Sequence, residues 1–237
     1  MVARLAASLP TSRRTDGIIN RMYNSALFAE DRLDVLQDFI RAHPFGTLVA
    51  NGPEFPEASH LPIFLDASSG LGTSAGLLRC HVTRNNPLVK LLEGGPRVLV
   101  IFTGAHHYVT PNWYPSRKEY GKVVPTWNYV AVHATGTARL FEDTPSLLRH
   151  VSELTDSHEA GFAEHWSVND APPGYVETLS RGIVGVEVAI DRIEGKWKVN
   201  QNRPEADQLG VIDGLDALGS PVGREMADVM RKRRSKS

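Results

Sequence analysis

Aromatic, cationic and amide side chains are concentrated in residues 106–136, where aliphatic residues are few. The aromatic residues of this stretch include Trp113, Tyr114, Trp127 and Tyr129. Aromatic side chains can hold a flat ring system, cations can bind a phosphate, and amides can hydrogen-bond to ring edges. We therefore interpret the stretch as a binding segment for a flat aromatic ligand that carries a phosphate. The alternative is a long surface loop between two strands, with its aromatic residues packed on one another.

Two further polar clusters could contribute to such a site. The segment HVTRNNP (81–87) places Thr83 and Arg84 where a strand is predicted to meet a helix, and these side chains could hold a phosphate together with backbone N–H groups. The segment KWKVNQNRP (196–204) groups cations and amides directly after a predicted strand. Taken alone, it is slightly more typical of a solvated turn whose side chains bond the backbone. Three such clusters in one chain favour a ligand-binding protein.

Several motifs that would indicate a different chemistry are incomplete. Residues 70–76 (GLGTSAG) resemble a dinucleotide-binding loop, but the glycine spacing is wrong and no helix is predicted to follow. His158 and Glu159 resemble the start of a zinc-protease helix, yet Phe162 stands where the second histidine is needed. Cys80 lies in a predicted strand and is interpreted as a packing residue. The sequence therefore predicts no metal site and identifies no catalytic residue.

The composition is that of an ordinary globular protein with one large or two small domains. The chain has 237 residues, of which 41% are hydrophobic, and a formal net charge of -1. So small a net charge provides no field that would hold nucleic acid or an anionic membrane, and such a partner would need a local basic patch. No apolar run is long enough to cross a membrane, and the single Cys80 excludes an internal disulfide. We therefore expect a cytoplasmic protein without membrane contact.

Hydrophobic periodicity predicts strands joined as hairpins, with short helices between them. Strands are expected at residues 46–51, 58–66, 71–81, 97–102, 126–141, 183–190 and 195–201. Helices are expected at residues 30–43, 86–92, 143–154, 207–218 and 221–231. The run RVLVIF at 97–102 is almost entirely aliphatic, which indicates a central strand that is buried on both faces. Hairpins without a regular alternation of strands and helices predict a closed or partly closed antiparallel barrel with peripheral helices.

The chain resembles the PaiB-type family of FMN-binding negative transcriptional regulators, a branch of the FMN-binding split-barrel superfamily that includes pyridoxamine-phosphate oxidases. The resemblance is carried by HPFGTLV, HLPIFLD, HVTRNNP, VLVIFTGAHHYVTPNWYPS, EYGKVVPTWNYVAVHATG, LTDSHE, IVGVEVAIDRIEGKWKVNQNRP and GVIDGL. Together with Met22-Tyr23 at the start, these segments are spread over roughly nine tenths of the chain from Met22 onward. The resemblance implies a mainly β (α+β) fold, a six-stranded antiparallel split β-barrel with peripheral helices. It also implies a homodimer with FMN bound in a groove at the subunit interface.

The resemblance further implies candidate FMN-binding residues and domain limits. The candidates are His81, Thr83 and Arg84 at the phosphate-side strand end, Thr110 and Trp113 in YVTPNWY, Trp127 and Asn128 in PTWNY, and Lys198, Gln201 and Arg203 in a C-terminal segment that could close over the flavin. A split-barrel domain is expected at residues 22–219. We expect a disordered extension before it at 1–21, and a C-terminal helix and basic tail after it at 220–237.

Functions of different classes are compatible with this resemblance. The first is an FMN-binding negative regulator of transcription, with DNA as a partner, although no recognition helix is evident and only the tail is strongly basic. The second is an FMN-dependent oxidoreductase that acts on a small molecule while the protein binds and orients the flavin. A weaker third alternative is a haem-binding or haem-degrading split-barrel protein, with His106 or His133 as the axial ligand.

Overall fold

A computed structural model describes residues 22–68 and 75–235, so the extension predicted at 1–21 lies outside the described residues. The strands are β1 (Ala29–Glu30), β2 (Phe45–Asn51), β3 (Pro56–Pro62), β4 (Phe64–Asp66), β5 (Leu77–Thr83), β6 (Arg97–Val109), β7 (Thr126–Phe141) and β8 (Ile183–Lys198). The helices are α1 (Leu33–Ala42), α2 (Leu88–Leu92), α3 (Ser116–Tyr120), α4 (Thr144–Glu159), α5 (Tyr175–Ser180), α6 (Glu205–Ala217) and α7 (Pro221–Arg234). Among these described residues, no helix is long and apolar enough to span a membrane.

The strands form one antiparallel sheet that curls on itself. Its order is β3-β2-β6-β7-β8-β5-β4, and β1 pairs with β8. The outermost strands β3 and β4 are consecutive in the chain and are separated only by Ile63. Because the two edges of the sheet must come together at this residue, the sheet cannot stay flat and closes into a barrel whose edges do not pair. The predicted mainly β split barrel with peripheral helices is thus confirmed.

The predicted number of six strands is wrong, because the described residues form eight. Six strands have seven residues or more, and the two additional ones are β1 with two residues and β4 with three. The strand predicted at 58–66 is divided because the N–H of Ile63 donates to the carbonyl of Pro44 at 2.8 Å. From Phe64 onward the chain pairs with β5 instead. Strands this short leave too few residues for an alternating pattern to be recognised in the sequence.

The three longest strands, β6, β7 and β8, form the centre of the sheet, and their inward side chains fill the barrel. Val100, Phe102, Val132 and Ala134 are all fully buried there. Their neighbours along each strand point outward, since successive side chains of a strand face opposite sides. β6 is therefore buried on one face only, which corrects the prediction that residues 97–102 are buried on both.

The outward side chains of β2, β3 and β6 and of the adjoining halves of β7 and β8 form one continuous surface, which we call the open face. Cross-strand partners in the antiparallel ladders place them side by side. The open face consists of Thr47, Val49, Ala58, His60, Leu99, Ile101, Thr103, His106, Tyr108, Trp127, Tyr129, Ala131, His133, Thr135, Arg192, Glu194, Lys196 and Lys198. All of them except Lys196 are half-buried or exposed. Helix α4 covers the other half of the outer surface, where Arg79 of β5 pairs with Glu153 at 2.6 Å.

The two ends of the described chain are joined by an ion-pair network around Glu30. Glu30 is only 4% exposed and pairs with Arg32 and with Arg233 of α7, each at 2.6 Å. Hydrogen bonds from Arg32 lower the pKa of Glu30 from 4.5 to about 2, burial acts in the opposite direction, and Arg233 adds to the lowering. The carboxylate therefore stays charged in the folded protein and holds α7 against β1.

We expect Glu30→Gln to lower the free energy of unfolding at neutral pH by about 2 kcal/mol, allowing for solvent that screens Arg32. The folded-state pKa is below the unfolded-state value, so this stabilisation is present above pH 4.5 and is lost as the pH falls towards 2. Urea unfolding should thus show a gap between wild type and variant that narrows at acid pH. Asp38→Asn, which removes an exposed pair with Arg41, serves as the control and should change little. A gap independent of pH would contradict the role of the Glu30 charge.

Candidate functional site

The candidate residues form two groups at opposite ends of β8. Thr83 pairs with Ile183 at the start of β8, whereas Lys198 ends the strand and pairs with Tyr129 of β7. β8 has 16 residues, and at about 3.3 Å per residue they extend over roughly 50 Å of strand. A single protomer therefore cannot bring both groups to one small ligand.

At the first end, Arg84 holds three strand ends together. Its Nε donates to the carbonyl of Arg181 at 3.1 Å, its Nη2 donates to the carbonyl of Ile183 at 3.2 Å, and its Nη1 pairs with Glu142. The exposed Thr83 precedes it at the end of β5. A phosphate that bound Arg84 would have to compete with the Glu142 carboxylate, so the guanidinium is not a free anion site in this arrangement.

A cavity of about 720 Å³ lies beside Arg84, between the β2–β3 turn and the loop that leads into α2. Lys90 and Asn85 line it together with Arg84, and Phe55 contributes an aromatic ring that is 67% exposed. Asn86 fixes the loop, because its Nδ2 donates to Ser59 Oγ at 3.2 Å. Glu54, Glu57 and Glu93 also line the cavity, so a phosphate would have to lie next to Arg84 and Lys90 and away from these carboxylates. The volume suits a small phosphorylated ligand.

The structure turns His81 away from this cavity and under α4. Its Nδ1 lies 3.2 Å from Nε2 of His150, so the two rings share a hydrogen bond. Burial lowers the pKa of His81, and burial together with the charges of His81 and Arg79 lowers the pKa of His150 to about 3. Both imidazoles are therefore neutral at neutral pH, and His81 is oriented by the helix.

At the second end, four side chains of the open face form what we call the aromatic shelf: Trp127, Tyr108, His106 and Lys198. The Trp127 ring is 50% exposed, stacks on His106 with centroids 6.1 Å apart, and meets Tyr108 edge-on at 6.1 Å. Lys198 Nζ donates to the Trp127 carbonyl at 2.7 Å. Burial, with the nearby charges of Lys196 and Arg203, lowers the pKa of Lys198. The shelf thus offers a flat ring surface beside a fixed ammonium group.

The segment that precedes the shelf is positioned by α6. Trp113 packs on two glycines one helical turn apart: a Cβ would lie 2.1 Å from the Trp113 carbonyl oxygen at Gly210, and 2.4 Å from the Trp113 ring at Gly214. Thr110 caps the short turn Pro111–Trp113 by accepting from the N–H of Asn112 at 3.3 Å. Both candidates therefore hold the local backbone in place.

The remaining candidates are directed into the protein. Asn128 is fully buried, and its Nδ2 lies 3.5 Å from the sulfur of Met230 in α7. Gln201 accepts from the N–H of Val199 at 2.8 Å and so closes the turn after β8. Arg203 lies over the ring of Tyr114, 5.1 Å from its centroid. The structure therefore brings together Trp127 and Lys198 at one end, and Thr83 and Arg84 at the other.

Lys196 is a further candidate residue, which lies at the start of the 196–204 cluster but was not singled out in it. It is 9% exposed, its Nζ donates to the Tyr23 carbonyl at 2.7 Å, and the rings of Tyr23 and Tyr129 lie 5.4 and 5.6 Å from it. Lys196 is two residues before Lys198, so a strand places both ammonium groups on one face, and this spacing was the available signal. No group of three potential metal-ligating side chains occurs within residues 22–68 and 75–235.

Together, the two ends supply what FMN requires. The exposed face of Trp127 can stack on a flat ring, and the cavity beside Arg84 can take a phosphate with its cations and amides. Neither end supplies both. Within one protomer the two sets of residues lie at opposite ends of β8.

Comparisons with known proteins indicate an FMN-binding family. Residues 22–192 match the family model described as "Putative FMN-binding domain". The uncharacterized protein AN0679 of Emericella nidulans is 38% identical over 90% of this chain and 97% of its own length. The Bacillus subtilis protein named "Protease synthase and sporulation protein PAI 2" is 30% identical over 91% of this chain and 99% of its own. The flavocytochrome Anf3 of Azotobacter vinelandii shares the fold, with a TM-score of 0.55 at 14% identity over 72% of this chain and 69% of that chain.

Proposed function

Because this chain belongs to the FMN-binding domain family of split-barrel proteins, we propose that it is a homodimeric FMN-dependent oxidoreductase acting on a small molecule. Bound FMN supplies reversible electron transfer, which the side chains of this protein cannot provide. The protein's contribution is to hold the isoalloxazine and the phosphate in fixed positions and to shield the ring from water.

The separation of the candidate residues at the two ends of β8 supports the dimeric arrangement in this proposal. Consider a dimer in which the open faces of two copies pack against each other. A twofold axis that lies in this interface, perpendicular to the strands, makes the strands of the second copy run in the opposite direction. Such an axis brings the Arg84 end of one protomer next to the aromatic shelf of its partner. Two equivalent FMN sites result, and each is incomplete without the second subunit.

The composition of the open face also supports a dimer. Val49, Leu99, Ile101 and Ala131 point outward from its central strands, and half-exposed aliphatic side chains of this kind form the apolar centre of many subunit interfaces. A crevice of about 720 Å³ near His133 lies on the same surface. A second copy that covered these residues would remove them from water.

Within such a site, each residue has a distinct role. Trp127 packs against the flat ring, and the ammonium of Lys198 lies close to it, held by the Trp127 carbonyl. Lys90 and Arg84 hold the phosphate, while Asn86 keeps their loop against β3. The hydrogen bonds of Arg84 to the backbone keep this anchor in place whether or not the phosphate displaces Glu142.

Transcriptional regulation is the second candidate function, and the resemblance of the sequence to PaiB-type regulators favours it. Direct DNA contact through the basic tail is less well supported. Arg233 pairs with Glu30 and Arg234 pairs with Glu205, each at 2.6 Å, so carboxylates of the protein already neutralise these cations. A regulator would therefore act through the flavin rather than through a basic tail.

The haem alternative is not favoured by the position of either histidine. The ring of His106 stacks on Trp127, and His133 lies on the open face that a dimer would cover. Burial lowers the pKa of His133, Glu194 acts in the opposite direction, and Lys196 adds to the lowering. His133 lines the crevice of about 720 Å³ on the open face, but Arg97, Arg192 and Glu194 line this crevice too, and the proposed dimer would cover it.

The purified protein, mixed with excess FMN and separated from free ligand, tests the proposed function. We expect a flavin absorption spectrum that co-elutes with a dimer in light scattering, and oxidation of a nicotinamide donor that depends on FMN. A monomer, or a dimer that takes up no FMN, would contradict the proposal. An FMN-loaded dimer that lacks this activity but binds DNA in a salt-dependent shift would favour the regulator.

We expect Arg84→Ala to weaken FMN binding about 10- to 100-fold and riboflavin binding far less, since only FMN offers a phosphate to a charge-assisted hydrogen bond. Fluorescence titration with both ligands measures the ratio. Arg224→Ala is the control, because it removes an exposed guanidinium of α7 that donates to the carbonyl of Gly219. It should change the affinity for neither FMN nor riboflavin. An equal loss for both ligands would show that Arg84 acts only as a clamp between strands.

A further inference from the structure

An uncovered apolar surface follows α4, in a segment that we call the acidic arm (residues 159–179). Four large apolar side chains in it are exposed: Phe162 at 63%, Trp166 at 46%, Tyr175 at 53% and Leu179 at 56%. A solvated surface rarely collects so many exposed aromatic residues in one short segment, and such a patch marks a contact with another macromolecule.

The charges of the acidic arm all have one sign. It contains four carboxylates and no lysine or arginine. Glu159 accepts from the N–H of Trp166 at 3.1 Å, and Asp170 accepts from the N–H of Ser167 at 2.8 Å, so these two shape the arm itself. Glu164 and Glu177 remain as exposed carboxylates beside the apolar side chains. The arm therefore suits a basic surface that also carries apolar groups.

A surface of that kind occurs elsewhere in the same chain, in a segment that we call the basic loop (residues 117–124). Arg117, Lys118 and Lys122 outweigh its one carboxylate, Glu119, and give it a net positive charge. Tyr120 and Val124 are 50% and 64% exposed. The start of the loop is fixed by Ser116, the residue that precedes it. The buried Asp207 of α6 accepts hydrogen bonds from the N–H and the hydroxyl of Ser116, at 3.0 and 2.6 Å.

The two segments lie at opposite ends of the barrel. The acidic arm leads into β8 beside Arg84, whose Nε and backbone N–H donate to the carbonyls of Arg181 and Gly182 at 3.1 and 2.9 Å. The basic loop leads into β7 directly before Trp127, and so adjoins the aromatic shelf. They cannot meet within one protomer. The dimer of the proposed function places the Arg84 end of one copy beside the shelf of the other.

We propose that the acidic arm of each protomer docks on the basic loop of its partner and forms the outer wall of the FMN crevice. This inference rests on the proposed function, because it requires the same twofold arrangement. Glu164 and Glu177 then face Lys118 and Lys122, and the exposed aromatic residues of the arm cover Tyr120 and Val124. By symmetry the contact occurs twice, and both copies shield a flavin site from water.

Charge reversal tests this contact in the full-length protein. We expect Lys118→Glu with Lys122→Glu, and separately Glu164→Lys with Glu177→Lys, to raise the dimer dissociation constant at least about tenfold at low salt and to weaken FMN binding. Combining all four substitutions should restore both properties, because attraction replaces repulsion at both contacts. Sedimentation and FMN titration supply the readouts, and high salt should reduce the differences.

A matched control carries the same change of charge on α7. Arg224→Glu with Lys232→Glu should leave the dimer and FMN binding unchanged, and circular dichroism shows that each variant is folded. If the reversals have no effect, or if the fourfold variant is no better than either pair, the contact is refuted while the FMN-binding dimer stands. A monomeric wild-type protein without FMN would instead refute the proposed function, and this contact with it.

Discussion

Replacing Gly136 by alanine is expected to leave little folded protein. Gly136 lies in the middle of β7, and an added Cβ would be 2.0 Å from the carbonyl oxygen of Ala189 and 2.8 Å from its carbon. Both atoms belong to the backbone of the neighbouring strand β8, so no side-chain rotation can relieve the contact. The strands would have to separate where their hydrogen bonds hold the barrel together, at a cost above about 4 kcal/mol. Soluble yield and the urea midpoint measure the effect.

Gly161→Ala supplies the control, because an added Cβ there would meet nothing within 4 Å. We expect it to change the free energy of unfolding by no more than about 0.5 kcal/mol. Gly185→Ala should fall between the two, since the atoms it meets are in the ring of Phe141, which can move. A Gly136→Ala protein with the wild-type midpoint would contradict the close approach of β7 and β8.

The pairing of β7 with β8 near Gly136 also explains why the single strand β8 was predicted as two strands, at 183–190 and 195–201. Thr135 pairs with Arg192 but Gly136 pairs with Ile190, so Asp191 is an extra residue in β8. Such a bulge reverses which residues of the strand face inward. The alternation of buried and outward-facing side chains therefore continues to Ile190 and resumes after the bulge with the inward and outward positions exchanged. A sequence pattern with one period thus predicts two short strands. By contrast, the strand predicted at 126–141 coincides with β7, since its own side chains keep the alternation throughout.

Helix limits could be predicted only where the signal is local. α4 begins at Thr144 as expected, because the Asp143 side chain accepts from the N–H of Ser146 at 3.0 Å, within one turn of the chain. α1 was predicted from residue 30, and instead it begins at Leu33. Glu30 is drawn into β1 by its pairs with arginines, one of them at the far end of the chain, which no local pattern can show.

The residue types of the candidate site were predictable, but their grouping was not. Trp127 and Asn128 are adjacent in one motif, yet the strand turns one outward onto the shelf and buries the other fully under α7. Arg84 was identified as a cation near a strand end, while its partner Glu142 is 58 residues away in the sequence. Alternation of faces and long-range pairing decide which residues share a surface, and both depend on the assembled sheet.

Trp127→Ala is expected to weaken FMN binding about 10- to 100-fold, which corresponds to the roughly 1–3 kcal/mol of a flat ring stacked on an aromatic side chain. Half of the Trp127 surface is exposed, so its removal leaves no cavity in the core and should change the free energy of unfolding little. Riboflavin should lose as much affinity as FMN, because the ring and not the phosphate is affected. This pattern is the reverse of that expected for Arg84→Ala.

Two control variants test whether Trp127 acts by stacking on the flavin ring. Trp127→Phe retains an aromatic face and should recover most of the affinity, whereas Leu218→Ala removes a side chain that is similarly exposed, at 51%, on another surface and should have no effect.

Mixing Trp127→Ala and Arg84→Ala subunits gives a sharper test of the shared site. If each FMN lies between the shelf of one protomer and the cavity of its partner, a mixed dimer has one site with both defects and one intact site. Recovery of half the binding capacity at wild-type affinity follows from the shared arrangement, whereas two equally impaired sites would require both residues to act on one FMN within a single protomer.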